Sequence, residues 1–498
     1  MLSWLQNSSW PLLSVLTFLP LAGVAALPLL RSDGAVKVWS LAVTILTALC
    51  SIPLYIGFDA TTASYQFQEN IPWIPSLNIR YALGVDGISL LLILMTTFLT
   101  PLCILCSWRA ITSRVKEFMV CILVMETAML GVFAALDFVL FYIFWEAMLI
   151  PMFLLIGVWG GPRKIYASVK FFLYTLAGSV LLPVAVIALY LASPAHTFSI
   201  PGLMGQPYPA ALQCWVFLAF FVAFAIKVPM FPFHTWLPAA HVEAPTAGSV
   251  LLASVLLKMG AYGFLRFCLP MTPVGVQTFG PVVLALSVAG IIYGGLTALA
   301  QSDMKRLVAY SSVAHMGFVT LGIFVLNTRG IEGALLQMIN HGITTGALFL
   351  CVGMIYERTH SRELSQATGI GRAMPVYVTA LAVFGLSSLA FPGTNSFVGE
   401  FLVLAGSFAY SKVLGLLAIP GVVLGAAYML RMLQRVIWGG TNNPDSSQLQ
   451  DLNVREILTL APLVVLVLWI GFAPAPFLKV MHASVLHLLE QFQAGMIR

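Results

Sequence analysis

Hydrophobic residues in this chain come in long unbroken runs rather than in alternation. Fourteen runs lie near residues 10–30, 37–58, 83–108, 117–136, 138–160, 167–193, 211–236, 246–269, 277–301, 304–326, 331–356, 374–408, 413–438 and 457–475. A membrane-crossing helix needs about 20 apolar residues in a row, whereas a barrel strand needs about ten in alternation, so the runs predict helices and exclude a transmembrane barrel. The first run precedes every basic residue, Arg31 being the first, which predicts a retained helix and not a cleaved leader. Between the second and third runs, residues 59–82 alternate at Tyr65 and Phe67 and at Leu77 and Ile79, enough for a short hairpin. A polar loop, WGGTNNPDSSQLQDLNVRE, separates the last two runs. Beyond Gly471, the residues Phe477, Met481, Val485, Leu488 and Phe492 recur at three- and four-residue steps. That spacing predicts an amphipathic helix lying on the membrane surface or docked on a partner.

Two runs are interrupted. The seventh carries Lys227 and is then broken by Pro229 and Pro232; the twelfth is broken at Pro392, Gly393, Thr394 and Asn395 and resumes with Glu400. Irregular backbone at membrane depth survives only where protein or a wet cavity satisfies it, so both breaks are expected to border one water-filled interior. Runs 7 and 12 are separated by an odd number of crossings and point in opposite directions. Each is the fourth member of a five-helix block, 4–8 and 9–13. Paired broken helices in oppositely oriented halves predict an inverted-repeat transporter. The expected organisation is residues 1–116 for three N-terminal helices and the outer hairpin, 117–269 for the first repeat, 277–438 for the second, and 439–498 for the inner loop, last span and amphipathic helix. The fold class is an all-α polytopic membrane protein.

Composition agrees: 60% of the 498 residues are hydrophobic and 8% charged, against a usual charged share of about 25% in soluble domains. Of the 24 basic residues, sixteen fall in one alternate set of loops and six in the other. The positive-inside rule then places both termini on the outer side of the membrane. The net charge of +6 thus reflects topology and gives no sign of nucleic-acid binding. Seven cysteines lie mostly inside runs. Cys103 and Cys106 share one apolar helix with no second pair or histidine nearby, so they read as small buried side chains, and no disulfide or metal cluster is assigned. Neither a Rossmann glycine fingerprint nor a phosphate loop occurs, so no cofactor is expected in this chain.

The candidate chemistry is therefore the ionisable residues inside the runs. Lys227 and Lys258 stand where a lipid-facing helix tolerates no charge, which costs about 2.5–3.5 kcal/mol even on the lenient insertion scale. Glu126 and Glu146 flank the turn at Asp137 at matching depths of about 14–16 Å. Lys227 is the natural partner for such a carboxylate, either as a static pair locking helices together or as part of a proton route. His315 and His341, on neighbouring runs with Ser311, Ser312, Thr344 and Thr345 nearby, are either packing residues or relay groups, since a histidine accepts a proton on one ring nitrogen and releases it from the other.

Four stretches carry a resemblance: FYIFWEAMLIPMFLLIGVWGG, AIKVPMFPFHTWLPAAHVEAPTAGSVLLASVLLKMGAYGFLRF, SDMKRLVAYSSVAHMGFV and FPGTNSFVGEFLVL. Together they resemble the antiporter-like membrane subunits of respiratory complex I, in the M branch that is the counterpart of mitochondrial subunit 4. The resemblance implies proton translocation driven by quinone reduction elsewhere, as part of a proton-pumping NADH:quinone oxidoreductase. It implies Glu146 paired with Lys227, Lys258 as the connecting lysine, His315 and His341 on a central hydrophilic axis, and Glu400 as the terminal carboxylate; Glu126 also fits the pattern. NADH, flavin, iron–sulfur clusters and quinone are implied in partner subunits, the partners being other membrane subunits, neighbours of the L and N type included, and the location a bacterial inner membrane. The related L and N subunits and sodium/proton antiporter subunits generally carry lysine where Glu400 stands. The chain departs from the pattern at Ala239, where LPDAH is usual and LPAAH stands here. The alternative is a subunit of a multi-subunit cation/proton antiporter, which needs the same buried charges.

Overall fold

A computed structural model describes residues 11–439 and 449–497. The first ten residues, residues 440–448 of the expected inner loop, and Arg498 lie outside the described residues. Thirteen helices among the described residues are long and apolar enough to cross a membrane. They are α1 (Leu12–Ala26), α2 (Asp33–Ile56), α3 (Leu90–Ala110), α4 (Val115–Ala134), α5 (Phe138–Trp159), α6 (Lys164–Ala192), the first half of α7 (Ala210–Lys227), α8 (Thr246–Met271), α9 (Pro273–Leu299), α10 (Met304–Phe324), α11 (Thr328–Thr359), α13 (Lys412–Trp438) and α14 (Val454–Phe472). The remaining expected span is α12, split into the shorter halves Pro375–Ser388 and Asn395–Tyr410. The fourteen expected spans are thus all present. One boundary is corrected: α3 starts at Leu90 instead of residue 83, because β2 (Ile79–Val85) takes the start of that apolar run.

The outer hairpin pairs β1 (Gln66–Ile74) with β2 antiparallel, Ile71 opposite Tyr81. It is anchored to the bundle by charge. Glu69 accepts from the Leu13 and Ser14 amides at 2.7 and 3.1 Å, satisfying free N–H groups at the positive end of α1. Asp137 does the same at α5, accepting from Val139 N at 2.9 Å, and also accepts from the Arg80 amide at 3.1 Å, tying β2 to the start of that helix.

Burial sorts the helices. The most apolar stretches of α8 and α11 are fully buried and that of α10 is 94% buried, whereas those of α1, α2, α13 and α14 are only 33% buried. The central helices are also the ones that carry histidine, lysine and amide side chains, so polarity is placed where lipid cannot reach it. The C-terminal helix α15 (Ala475–Ile497) turns Met481, Val485, Leu488 and Phe492 onto the bundle. Its apolar stripe therefore packs on α11, α9 and the end of α8.

Both expected breaks occur. The first half of α7 ends at Lys227, and the chain turns through Pro229 and Pro232 into a short second half, Trp236–Glu243. The orphan carbonyls of the ended helix are taken up locally, Ile226 O by the Trp236 indole at 2.8 Å and Ala225 O by the Met230 amide at 2.9 Å. In α12 the break covers Leu389–Thr394, where Gly393 sits at φ +90°, a left-handed conformation that a side chain resists.

Candidate functional site

Helix α8 has two π-helical stretches, Leu252–Leu256 and Phe264–Cys268. A π turn widens the helix and leaves backbone carbonyls out of the regular ladder. Here the Ala253 carbonyl accepts from Lys258 Nζ at 2.6 Å, five residues on. The same ammonium reaches across to α11, with Nζ 2.5 Å from His341 Nδ1. Such proximity requires α11 to lie against the widened turn. Gly342 permits this: a Cβ there would fall 2.4 Å from Met95 Sδ and 3.0 Å from the Ser254 carbonyl, and the Ser254 hydroxyl donates to the Gly342 carbonyl at 2.7 Å.

From His341 the polar path continues sideways. Its ring centroid is 5.7 Å from that of His315 on α10. His315 Nδ1 stands 2.7 Å from Glu400 Oε1 on the second half of α12, and the Gln337 amide donates to the same oxygen at 2.9 Å. His315 Nε2 lies 3.3 Å from Ser388 Oγ at the end of the first half of α12 and 3.5 Å from the Tyr428 hydroxyl on α13. All four principal groups are buried: Lys258 0%, His341 1%, His315 5% and Glu400 4% exposed. Lys258, His341, His315 and Glu400 thus form one lateral series that starts on α8 and runs through α11 and α10 to α12. Around the α12 break, the Asn340 amide donates to Asn395 O at 2.7 Å, and the Ser387 hydroxyl donates to Asn395 Oδ1 at 2.5 Å.

The first half is arranged differently. Lys227, at 2% exposure, has no hydrogen-bond partner for its Nζ, which instead lies 5.0 Å over the Trp145 ring. Glu146 on α5 is near enough to interact with it through space but not in ion-pair contact, and its Oε1 is buried without a hydrogen bond. The contact expected between Glu146 and Lys227 is therefore open in this structure, the adjacent Trp145 face taking the ammonium through its π density. Glu126, fully buried on α4, has both oxygens without a hydrogen bond; the nearby Thr100 hydroxyl is committed to the Thr96 carbonyl. The structure does not link Glu126 to the other site residues.

Other side chains at or near the series escaped the reading of the sequence. Gln337 belongs to a polar stripe on α11 with Asn340, His341 and Thr344, at steps of three and four, so its place was visible in the spacing. Tyr428 and Ser388 carried no such signal. His241, on the second half of α7, is fully buried and stacked 4.5 Å from Phe349, with neither ring nitrogen hydrogen bonded. Two basic residues assigned to loops are in fact buried. Lys305, 7% exposed, donates to the Ala244 carbonyl at 2.5 Å. Arg266, 5% exposed, makes a two-pronged pair with Asp86 at 2.8 and 2.7 Å and donates to the Tyr65 hydroxyl at 2.9 Å. Burial alone would raise the Asp86 carboxyl, but Arg266, assisted by the Ser89 amide and hydroxyl, holds it below the usual carboxylate range. The cysteines are free thiols, Cys106 donating to the Cys103 carbonyl at 3.2 Å.

Known proteins resemble this chain along nearly its whole length. The model of the family described as NADH:quinone oxidoreductase/Mrp antiporter, TM, matches residues 135–425, and that described as NADH-ubiquinone oxidoreductase chain 4, amino terminus, matches residues 35–132. The NADH-quinone oxidoreductase subunit M of Rhodobacter capsulatus is 48% identical over 504 residues, covering 97% of this chain and 98% of the relative. The NADH-ubiquinone oxidoreductase chain 4 of Chondrus crispus is 46% identical over 474 residues, covering 95% and 96%. Among solved structures, a chain of respiratory complex I from Thermus thermophilus superposes with a TM-score of 0.89 at 31% identity, covering 96% of this chain and 99% of that one. A chain of the Mrp complex from a Dietzia species gives 0.83 at 21% identity, covering 97% of this chain and 55% of that one, a likeness of fold alone. Near-half identity over full length to subunit M and chain 4, against a distant likeness to the antiporter, decides between the two alternatives: this chain belongs to the subunit M/chain 4 family of NADH:quinone oxidoreductases.

Proposed function

We propose that this chain moves protons through Glu146, Lys227, Lys258, His341, His315 and Glu400, as the proton-translocating membrane subunit of an NADH:quinone oxidoreductase. The observation that carries the reading is the buried lateral series itself. Lys258 is 2.5 Å from His341, and His315 is 2.7 Å from Glu400, with the two rings side by side. A carboxylate and an ammonium in contact stabilise each other's charge. When they part in a dry site each tends to neutrality, the carboxylate by accepting a proton and the ammonium by releasing one. The open Glu146–Lys227 contact is one state of such a switch. Its release of a proton towards Lys258 would pass along the histidines to Glu400, and closing the contact would reset it. Glu126 serves in this reading as a further buried carboxylate of the entry half.

The two five-helix blocks, 117–269 and 277–438, are the two half-channels of the reading, with 1–116 and 439–498 as their frame. Quinone reduction supplies the drive, so NADH, flavin, iron–sulfur clusters and quinone belong to partner subunits, and neighbours of the L and N type flank this one. The location is a bacterial inner membrane with both termini outside, as the loop charges require. The test uses membranes carrying Lys227→Ala or Glu400→Gln. NADH-driven quinone reduction and proton uptake are measured together, with assembly confirmed on native gels. Assembly that persists while pumping and coupled turnover collapse is the expected result. Both activities near wild type would make the buried charges structural.

A further inference from the structure

Helices α2 and α14 both pack on α3 but leave a cleft between them, floored by α3 and α11. Its two ends differ in chemistry. One end is a cavity of about 430 Å³ beside Trp108, Arg109, Asn453 and Arg455. The other is an almost wholly apolar cavity of about 350 Å³ beside Ala48, Met95, Phe98, Ile343 and Leu466. They lie on one line. Leu105 and Phe98 on α3 are seven residues apart, as are Leu41 and Ala48 on α2, while Arg455 and Leu466 on α14 are eleven apart. At about 100° per residue these steps return to the same helix face, about 10–16 Å further along the axis.

We propose that this cleft binds an anionic phospholipid, its phosphate at Arg109 and its acyl chain running along α3 to Met95 and Ile343. Charge selects the headgroup. Three carboxylates stand near the basic end, Glu456, Glu357 and Asp451, and all have partners, Asp451 accepting from the Val376 and Tyr377 amides at 2.8 and 3.0 Å. Arg358 binds Glu456 at 2.7 and 3.0 Å, and Arg455 lies 3.6 Å from Glu456 and 3.9 Å from Glu357. Lys37 Nζ meets only carbonyls, Trp108 O at 2.7 Å and Ile111 O at 3.0 Å. Arg109 is exposed and has no ion-pair partner among the described residues. The basic end therefore has unmatched positive charge at the membrane boundary, where each Arg or Lys near an anionic surface is worth about 1 kcal/mol. The far wall of the cleft is thin. Ile339 and Ile343 line it, while His341 between them points to the opposite side of α11, onto Lys258.

The experiment uses the purified whole complex with phosphatidylglycerol bearing a diazirine in its acyl chain, compared with an equally labelled phosphatidylcholine. Photolabel on peptides containing Phe98 and Leu466 is expected with the anionic lipid. It should fall roughly fivefold in Arg109→Ala and about thirtyfold in Arg109→Glu, one and two charge steps respectively. Ala48→Trp, which fills the apolar end while leaving every charge in place, should abolish it; native gels verify assembly of all three variants. Equal labelling by the zwitterionic lipid, or labelling indifferent to the variants, would overturn the proposal. So would an unlabelled cleft in the wild-type complex, as when a neighbouring subunit's helix fills it.

Discussion

Two regions of this molecule hold their buried charges in opposite ways. Along the series from α8 to α12 each group has a polar neighbour: Lys258 with His341, His341 beside His315, His315 with Glu400, and Glu400 with Gln337. On α4, α5 and α7, Glu126 and Lys227 are buried and Glu146 is half-buried, and none of the three is hydrogen bonded to another. A dry unpaired charge is costly, and the cost falls when a partner arrives or a proton moves. In the proposed route the unpaired residues Glu126, Glu146 and Lys227 are thus the part with free energy to release on rearrangement, and the paired series is the part that would conduct. A third region supplies the control. Asp86 and Arg266 are buried as well but fully paired, with Tyr65 completing the set. That pair has nothing to gain by opening.

The contrast breaks most visibly at the histidine step. His341→Phe keeps an aromatic ring on α11 but removes the acceptor for Lys258 and the imidazole bridge to His315. Loss of a positioned proton-transfer group costs about 10²–10⁴-fold. Proton uptake per NADH oxidised is expected to fall to background, with the subunit still assembled, and a variant that pumps normally would remove the histidines from the route.

The static pair separates structure from transport. Asp86→Asn leaves Arg266 buried without its counter-ion, which costs about 3–5 kcal/mol. Heating of the purified complex should release this subunit at a clearly lower temperature. Pumping per assembled complex should be unchanged, the reverse of the pattern expected for Lys227→Ala. The pH dependence has a definite sign. Because the folded Asp86 carboxyl is held below its ordinary range, the pair's stabilisation is complete above that range, near pH 4, and disappears as the pH falls through the lowered value. Thermal release of the wild type should accordingly ease only in that acidic window, while Asp86→Asn should show no such step.

The elements were legible in the sequence because lipid imposes a coarse rule. An apolar run of the right length must be a helix, and α7 and α12 break at Pro229, Pro232 and Pro392, where polar residues or glycine accompany the proline, whereas Pro101, Pro420 and Pro462 sit inside unbroken helices. The same rule exposed Lys227, Lys258 and Glu400 as charges out of place. It failed for Arg266 and Lys305, which stand near helix ends where a charge normally reaches water; only the fold shows that Asp86, 180 residues away, and the Ala244 carbonyl cover them. It also overstated the Glu146–Lys227 contact, since matching depth brings two groups to one level but not to one bond. Tyr428 and Ser388 were invisible for a plainer reason: hydroxyls are common in membrane helices, where they usually bond their own backbone.

The smallest expected effect concerns Glu126, and it sharpens the comparison from the other side. Its carboxylate sits at 0% exposure with both oxygens unpartnered, and its one close hydroxyl, Thr100, is already spent on Thr96 O. Glu126→Gln keeps the shape and removes no hydrogen bond, so the stability of the complex should change by no more than about 1 kcal/mol. Should Glu126 act only by occupying space, coupled turnover would also stay near wild type. Should it exchange a proton with Glu146 and Lys227, turnover would fall at unchanged stability, and the fall would be reversed in Glu126→Asp, which restores an ionisable group on a shorter stem. The measurement is the ratio of proton uptake to quinone reduction in the two variants side by side. A loss in Gln that Asp recovers places Glu126 in the entry half, and equal ratios leave that half with Glu146 and Lys227 alone.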